Sequence, residues 1–260
     1  MDKLSTKTLV LPVLGALIPD GISSATSLLV EFDPEGQWFA VSRTIVALAV
    51  KNGLRVAYGA TARSREDTIA SLTKLGIDVD TAERTGLLRI DDQYTSTLKL
   101  DKDNPDSVPV DDKYFRVGSP KIADWSIDQL KSLKGAPGAH SQLLSKWREQ
   151  SGALAMIDSF SPYLRFNEEK VFLEWMETRN LPLHRKVGRL PILAFSRGVH
   201  SEHFYRSLEG MFDGLIEVRV LEHDDESKNM LRIKSLKGQP HDSRWHEIHL
   251  KSNGEATLAS

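Results

Sequence analysis

The 260-residue chain has no cysteine. That excludes disulfides, thiolate zinc sites and cysteine nucleophiles. Charge of one sign is not in excess either: 34 Lys and Arg face 36 Asp and Glu, a net charge of −2. A dedicated nucleic-acid coat carries a strong positive balance, so only a local basic patch remains open to that role. No run reaches about 18 apolar residues, so no segment is expected to span a membrane as a helix. The stretch Met1–Pro19 is apolar, but Asp2 stands among its two lysines and Pro12 and Pro19 interrupt it. It reads as ordinary chain rather than a secretory signal, and the expected compartment is the cytoplasm. The phosphate-loop pattern G-x-x-x-x-G-K-[ST] occurs nowhere.

What is there is a globular balance of 40% hydrophobic and 27% charged residues. A chain of this length buries about 70–75% of its unfolded surface and needs no covalent staples. The expectation is one domain over 1–260.

Short apolar runs alternate with helix-period runs. Ser27–Phe32 reads as a buried strand that meets the turn Asp33-Pro-Glu-Gly36. Ser42–Lys51 has Ile45, Leu48 and Ala49 on one face and stops at Asn52-Gly53. Leu54–Tyr58 is the next strand. Ser64-Arg-Glu-Asp67 resembles a capping box and opens a helix with Ile69, Leu72 and Leu75 inward, ending at Gly76. Leu87–Ile90, Ala153–Ile157 and Leu190–Phe195 are further strands. A helix is expected at 141–150, and another after Asn167 with Val171, Phe172, Trp175 and Met176 inward. The order implies a parallel sheet covered by helices. Residues 99–121 are rich in Asp, Pro and Lys and read as a long surface loop. Leu215–Glu222, Met230–Leu236 and Trp245–Leu250 read as antiparallel strands added at the edge.

The motifs resemble those of the KaiC-like branch of the RecA superfamily, especially its single-domain archaeal members, over nearly the whole chain. Leu17-Ile-Pro-Asp-Gly21 is similar to that family's G-I-P-x-G entry. Val30–Phe39 is similar to E-G-D-P-G-S-G-K-T, and Gly86–Asp92 to G-x-L-x-I-x-D. Ile157-Asp-Ser-Phe-Ser161 resembles the Walker B stretch. Leu208–Ile216 resembles L-E-x-x-x-D-G-I-I, and Lys237–His241 belongs with the K-M-R-G-x-x-H strand. Each motif is weak alone; their shared order carries the assignment. The resemblance implies a three-layer α/β RecA-like P-loop NTPase fold with antiparallel C-terminal strands.

The departures bear on function. Glycines let backbone N–H groups approach phosphates, a lysine reaches the β- and γ-phosphates, and a hydroxyl holds Mg²⁺. In this register the degenerate loop is Phe32, Asp33, Pro34, Glu35, Gly36, Gln37, Trp38 and Phe39. The lysine has become Trp38 and the hydroxyl residue Phe39. Asp33 and Glu35 add like charges worth about 3 kcal/mol of repulsion at about 5 Å and an effective dielectric of about 20. The positions of the family's catalytic Glu pair are Ala62 and Arg63, neither of which is a general base. On the strand that in that family reaches a neighbouring subunit's nucleotide, the matching positions here are Ser235, Lys237 and His241. Asp158 and Ser159 stand at the Walker B position, where the plainer reading of Asp158 is a carboxylate capping nearby backbone N–H groups.

Other signals are weaker. The pairs His200/His203 and His246/His249 have metal-like spacing, but the second pair would point to opposite faces of a strand, and no metal is expected. Arg63, Arg65, Arg197 and Arg206 form either an anion patch or scattered solvated charges. Tyr58, Trp38 and Phe39 either stack on a base or pack in the core. The functional expectation is an inactive pseudo-ATPase acting as a binding, scaffolding or regulatory module, with a protein partner or an oligomer. No cofactor is expected. Weak ATP and Mg²⁺ binding is one alternative; single-stranded nucleic-acid binding is the other. Phe32, Trp38 and Phe39 either close the vacated cleft or meet another chain, with Trp38 the leading interface candidate because the lysine it replaces points at the ligand.

Overall fold

In a computed structural model of the chain, residues 8–94, 154–165, 167–223 and 226–259 are described. The loop expected at 99–121 and the helix expected at 141–150 lie outside them. The described elements begin with a two-stranded antiparallel sheet of β1 (Thr8–Leu9) and β2 (Ile22–Ser23). A larger sheet holds nine strands. Its parallel part comprises β3 (Leu28–Phe32), β4 (Val56–Ala60), β5 (Leu88–Asp92), β6 (Leu154–Ile157), β7 (Leu190–Ser196) and β8 (Gly214–His223). The antiparallel part is β9 (Glu226–Leu236), β10 (His246–Leu250) and β11 (Ala256–Leu258), in the order β11-β10-β9-β8-β3-β7-β6-β4-β5.

Helices cover both faces because both faces of the central strands are apolar. Along β3, Leu28, Val30 and Phe32 enter one core cluster while Leu29 enters the other. β7 splits likewise, with Ile192 and Ala194 on one side and Leu193 and Phe195 on the other. This is the two-residue strand period expressed as two cores. The first core receives α1 (Trp38–Lys51) and α2 (Arg65–Lys74), beside the short α3 (Val79–Arg84). The second receives α4 (Glu169–Trp175), α5 (Leu181–Val187) and α6 (Glu202–Met211). Between α4 and α5, Met176–Asn180 forms one π-helical turn just before Pro182. Proline has no N–H for an i−4 bond, which accounts for the local change of winding.

Local signals account for several boundaries. The Ser64 hydroxyl accepts the Asp67 N–H at 3.2 Å, the cap expected from the sequence. The helix it opens stops at Gly76, whose φ of +80° suits glycine. α1 starts at Trp38, four residues earlier than its apolar period suggests, because the Asp33–Gly36 turn ends directly at the helix. Asn167 does not cap α4; its side-chain N–H donates to the Tyr163 carbonyl, and Glu168 takes the cap position. Phe172 and Met176 face inward as expected, but Val171 is exposed.

One expectation about the last third is corrected. The run beginning at Leu215 is not antiparallel to the core: β8 pairs parallel with β3, and only β9, β10 and β11 run antiparallel. The reason is α6, unrecognised in the sequence, which lies between β7 and β8. A helical crossover returns the chain in the same direction, whereas a tight turn reverses it.

The start of β8 is locked onto the start of β3. The Ser27 N–H and hydroxyl donate to Asp213 Oδ2 at 2.8 and 2.6 Å, and the Asp213 and Gly214 N–H groups donate back to the Ser27 carbonyl. A Cβ on Gly214 would lie 2.7 Å from Leu28 Cδ2 and 2.8 Å from Leu236 Cδ1. Gly214→Ala is therefore expected to destabilise the fold by about 1–3 kcal/mol through overpacking. A urea midpoint unchanged from the wild type would refute this.

Candidate functional site

The carboxyl ends of β3, β6 and β7 converge on a cleft of about 480 Å³. Ligands of open α/β sheets bind in this position. Phe32, Pro34 and Phe39 form one wall, and Ser159, Ser161 and Leu164 another. Ala62, Ser196, Val199 and His200 also line it, with Arg165 contributing a cation. The loop between β3 and α1 thus stands where the phosphate-loop positions were expected, but its groups are otherwise engaged.

Trp38 is fully buried and its indole N–H donates to the Asp158 carbonyl at 2.8 Å. Its ring stacks on Phe32 with centroids 6.3 Å apart, and Phe39 meets Phe32 edge-on at 5.4 Å. Such pairs add about 0.5–1.5 kcal/mol beyond the area they bury. Phe32 and Trp38 have therefore turned inward, and the expectation of Trp38 as an exposed interface residue is corrected. The first turn of α1 sits directly over the end of β6, and an indole reaches the core there. Phe39 alone of the three is partly exposed, at the cleft.

Three backbone donors of the loop are also taken. The Asp33 N–H donates to the Val218 carbonyl and the Gly36 N–H to the Asp33 carbonyl, closing a turn. The Gln37 N–H donates to Asn229 Oδ1 at 3.1 Å. A phosphate cradle needs these groups aimed at the ligand. The Asp33 carboxylate accepts the Val220 N–H at 3.0 Å and meets Arg197 at 3.4 Å, so tertiary partners offset part of the repulsion read from the sequence. Glu35 is exposed.

Asp158 follows β6 and is 1% exposed. Its Oδ1 accepts the Thr61 N–H at 2.9 Å and lies 2.5 Å from the Thr61 hydroxyl; Oδ2 accepts the Tyr58 hydroxyl at 3.2 Å. The Thr61 hydroxyl also contacts the Ser159 carbonyl. A hydroxyl carries one proton and so donates to only one of these two acceptors. A proton on the carboxyl would let both contacts be hydrogen bonds. In agreement, burial pushes the Asp158 carboxyl above its usual range, against the bonds from Thr61 and Tyr58. Burial, then the neighbouring Asp158, likewise raises the Tyr58 phenol. The capping arrangement is the one present, and Tyr58 packs in the core.

The other expected residues do not gather into a site. Arg65 pairs with Glu83 at 2.5 Å and Arg206 with Glu202 at 2.5 Å, Arg197 meets Asp33, and Arg63 is exposed. Lys237 Nζ donates to the Phe212 and Gly210 carbonyls at 2.6 and 3.0 Å, capping the end of α6. Ser235 is exposed on β9, and His241 contacts the Gln239 carbonyl. His203 is exposed while His200 is turned inward, and His246 contacts Asp242 at 3.2 Å. Among the described residues no group of three or more His, Asp or Glu could hold a metal ion. Ser161, Ser196 and Arg165 were not singled out; hydroxyls and a lone arginine leave no sequence pattern, and only the converging strand ends assemble them.

A separate charged cluster lies beneath α6. Arg219 donates to Glu217 Oε1 at 2.8 Å and to the Glu31 carbonyl at 2.7 Å, and all three residues are buried. Arg232 closes the cluster from β9 at 2.6 Å from Glu217. These bonds tie β3, β8 and β9 together away from the cleft.

Comparison with solved structures gives a KaiC-like protein from the hyperthermophilic archaeon Pyrococcus horikoshii, with a TM-score of 0.65 and 13% identity, covering 98% of this chain and 100% of that one. The chain thus has a KaiC-like, RecA-type α/β fold. No protein-family model and no curated protein sequence matches it. Among the described residues, no helix is long and apolar enough to cross a membrane.

Two outcomes are expected. Trp38→Ala leaves a cavity and an unpaired carbonyl, so it should cost about 3–5 kcal/mol in chemical denaturation; a loss below 1 kcal/mol would show that the indole is not an anchor. Asp158 has a raised carboxyl pKa in the fold, so its protonated form favours the native state. That contribution is complete below the unfolded value of about 3.9 and is lost as pH rises through the folded value. Asp158→Asn cannot titrate. The stability of wild type minus that of Asp158→Asn should fall with rising pH from about pH 4, and a pH-independent difference would count against the assignment.

Proposed function

We propose that this chain is a pseudo-ATPase of KaiC-like fold, serving as a binding, scaffolding or regulatory module in an oligomer or beside an active paralogue. The observation that carries this reading is Trp38. At the first position of α1, where nucleotide chemistry needs a lysine amine over the phosphates, an indole is buried with its N–H on the Asp158 carbonyl. Three further features support it. The Asp33, Gly36 and Gln37 N–H groups are bonded to protein acceptors. The Asp158 carboxyl is buried, favours its proton, and is bonded to Thr61 and Tyr58. Ala62 and Arg63 supply no base for an attacking water.

A fold can persist after its ancestral chemistry is lost, with its surfaces carrying the function instead. The rim of the cleft offers Val199, 56% exposed, beside the partly exposed Phe39. Apolar groups at the mouth of a cleft suit contact with another protein. The compartment that goes with this reading is the cytoplasm.

Titration calorimetry with Mg-ATP tests the nucleotide half of this reading. No dissociation constant below about 1 mM is expected, which leaves about −4 kcal/mol or weaker. Micromolar binding would overturn it. Recovery of the protein with its native partners, followed by Phe39→Ala and Val199→Ser, tests the partner half; association unaffected by both changes would place the contact elsewhere.

A further inference from the structure

The cleft brings together a hydroxyl, an imidazole and a carboxylate from three separate segments. Ser161 opens the short 3₁₀ turn Ser161–Arg165 that follows β6. His200 lies in the loop between β7 and α6. Its Nε2 is 3.0 Å from Ser161 Oγ. The Ser196 N–H donates to the same Oγ at 3.0 Å, which leaves the hydroxyl proton free to point at the imidazole. On the other side of the ring, Nδ1 is 4.0 Å from Glu169 Oε1. That is too long for a hydrogen bond but within ion-pair range once the ring is protonated. The His200 side chain is 8% exposed and is held between Phe204, Tyr205 and Phe195. Glu169 is itself fixed by the N–H and hydroxyl of Ser201 at 2.8 and 2.5 Å.

The protonation states suit the geometry. Burial lowers the His200 imidazole below its ordinary value, against the opposing charge of Glu169, so the ring is neutral near pH 7 and Nε2 can accept a proton. Burial raises the Glu169 carboxyl, but the Ser201 hydrogen bonds outweigh it and leave it ionised. A nucleophile in hydrogen-bond contact with a base, with a third group behind the base, is the arrangement that activates serine on unrelated folds.

We propose that Ser161 and His200 form a nucleophile–base pair for acyl transfer from small apolar carboxylic esters, with Glu169 as a positioning residue. Ser161 Oγ bonds to the ester carbonyl carbon as its proton passes to His200 Nε2. The carbon–oxygen bond to the alcohol then breaks, and the alcohol leaves with that proton. Water, deprotonated by the same imidazole, hydrolyses the acyl-serine and restores both groups, with no redox change. Phe39, Leu164 and Val199 supply apolar walls for the acyl chain, and a cleft of about 480 Å³ admits a small molecule. The inference goes beyond the pseudo-ATPase reading and does not depend on it: the Mg-ATP titration tests one, and the following experiment the other.

The full chain is treated with an alkyl fluorophosphonate, in which Ser161 Oγ would displace fluoride from phosphorus, and is assayed in parallel with p-nitrophenyl butyrate. One adduct per chain, mapped to Ser161 and absent in Ser161→Ala, is expected. His200→Gln should react at least about 100-fold more slowly, the usual scale of general-base assistance. The wild-type labelling rate should rise with pH through a midpoint below the ordinary imidazole value. The titratable groups around the ring are Glu169 from α4 and Tyr205 from α6, with His203 acting on Glu169. Glu169→Gln removes the anion that raises the ring's pKa, so it should move the midpoint lower still. A folded wild-type protein that takes no label, or label that persists in Ser161→Ala, overturns the pair. An unmoved midpoint in Glu169→Gln overturns the positioning role.

Discussion

The hydrogen bond from the Trp38 indole to the Asp158 carbonyl organises the centre of this molecule. It joins the first residue of α1 to the residue just past β6, across 120 positions of sequence. Burying an indole without a partner for its N–H would cost about 1–3 kcal/mol, so the ring's depth and its bond are one constraint. The ring occupies the core beside Phe32, and Phe39 closes against Phe32 from the cleft side. The carboxyl of Asp158 meanwhile turns to Thr61 and Tyr58 at the end of β4. One buried indole and one buried acid thus make this strand–loop–helix unit a packed joint.

The neighbouring loop follows the same logic. Backbone N–H groups that must find acceptors when removed from water find them in Val218, Asp33 and Asn229. Asp33 takes the Val220 N–H and Arg197, which draws the ends of β3, β7 and β8 together. Charge that would repel a phosphate has become part of the fold's own wiring. What remains open is the side of the cleft formed by Ser159, Ser161, Ser196 and His200, where the polar groups are hydroxyls and a neutral imidazole, with Arg165 as the one cation among the described residues of the lining.

Elsewhere, charge stabilises the sheet where its parallel and antiparallel parts meet. Glu217, Arg219 and Arg232 sit at the β3–β8–β9 junction, and Lys237 caps α6 just after β9 ends. Breaking one member of such a buried set leaves an uncompensated charge, which costs more than the set contributes when whole. Lys237, a candidate for reaching a neighbour's ligand, is held instead by two carbonyls of its own chain.

The α/β class was legible from sequence because strand and helix periods are local: Leu28, Val30 and Phe32 alternate with Leu29, and Ser64 announces its own helix. The position of Asp158 at a strand's carboxyl end was legible for the same reason, and so was its plainer role as a cap. The direction of β8 was not, because it depends on α6: the Ser201 cap and the stripe of Phe204, Leu208 and Met211 are local signals, but the strand that follows them carries no mark of its own direction. The inward turn of Trp38 was not, since an aromatic at a helix start is equally compatible with solvent, partner or core until the strand beneath it is known. The Ser161–His200 contact was not legible either. A serine and a histidine 39 positions apart carry no signal of proximity, and only the side-by-side packing of β6 and β7 brings their ends within reach of one proton.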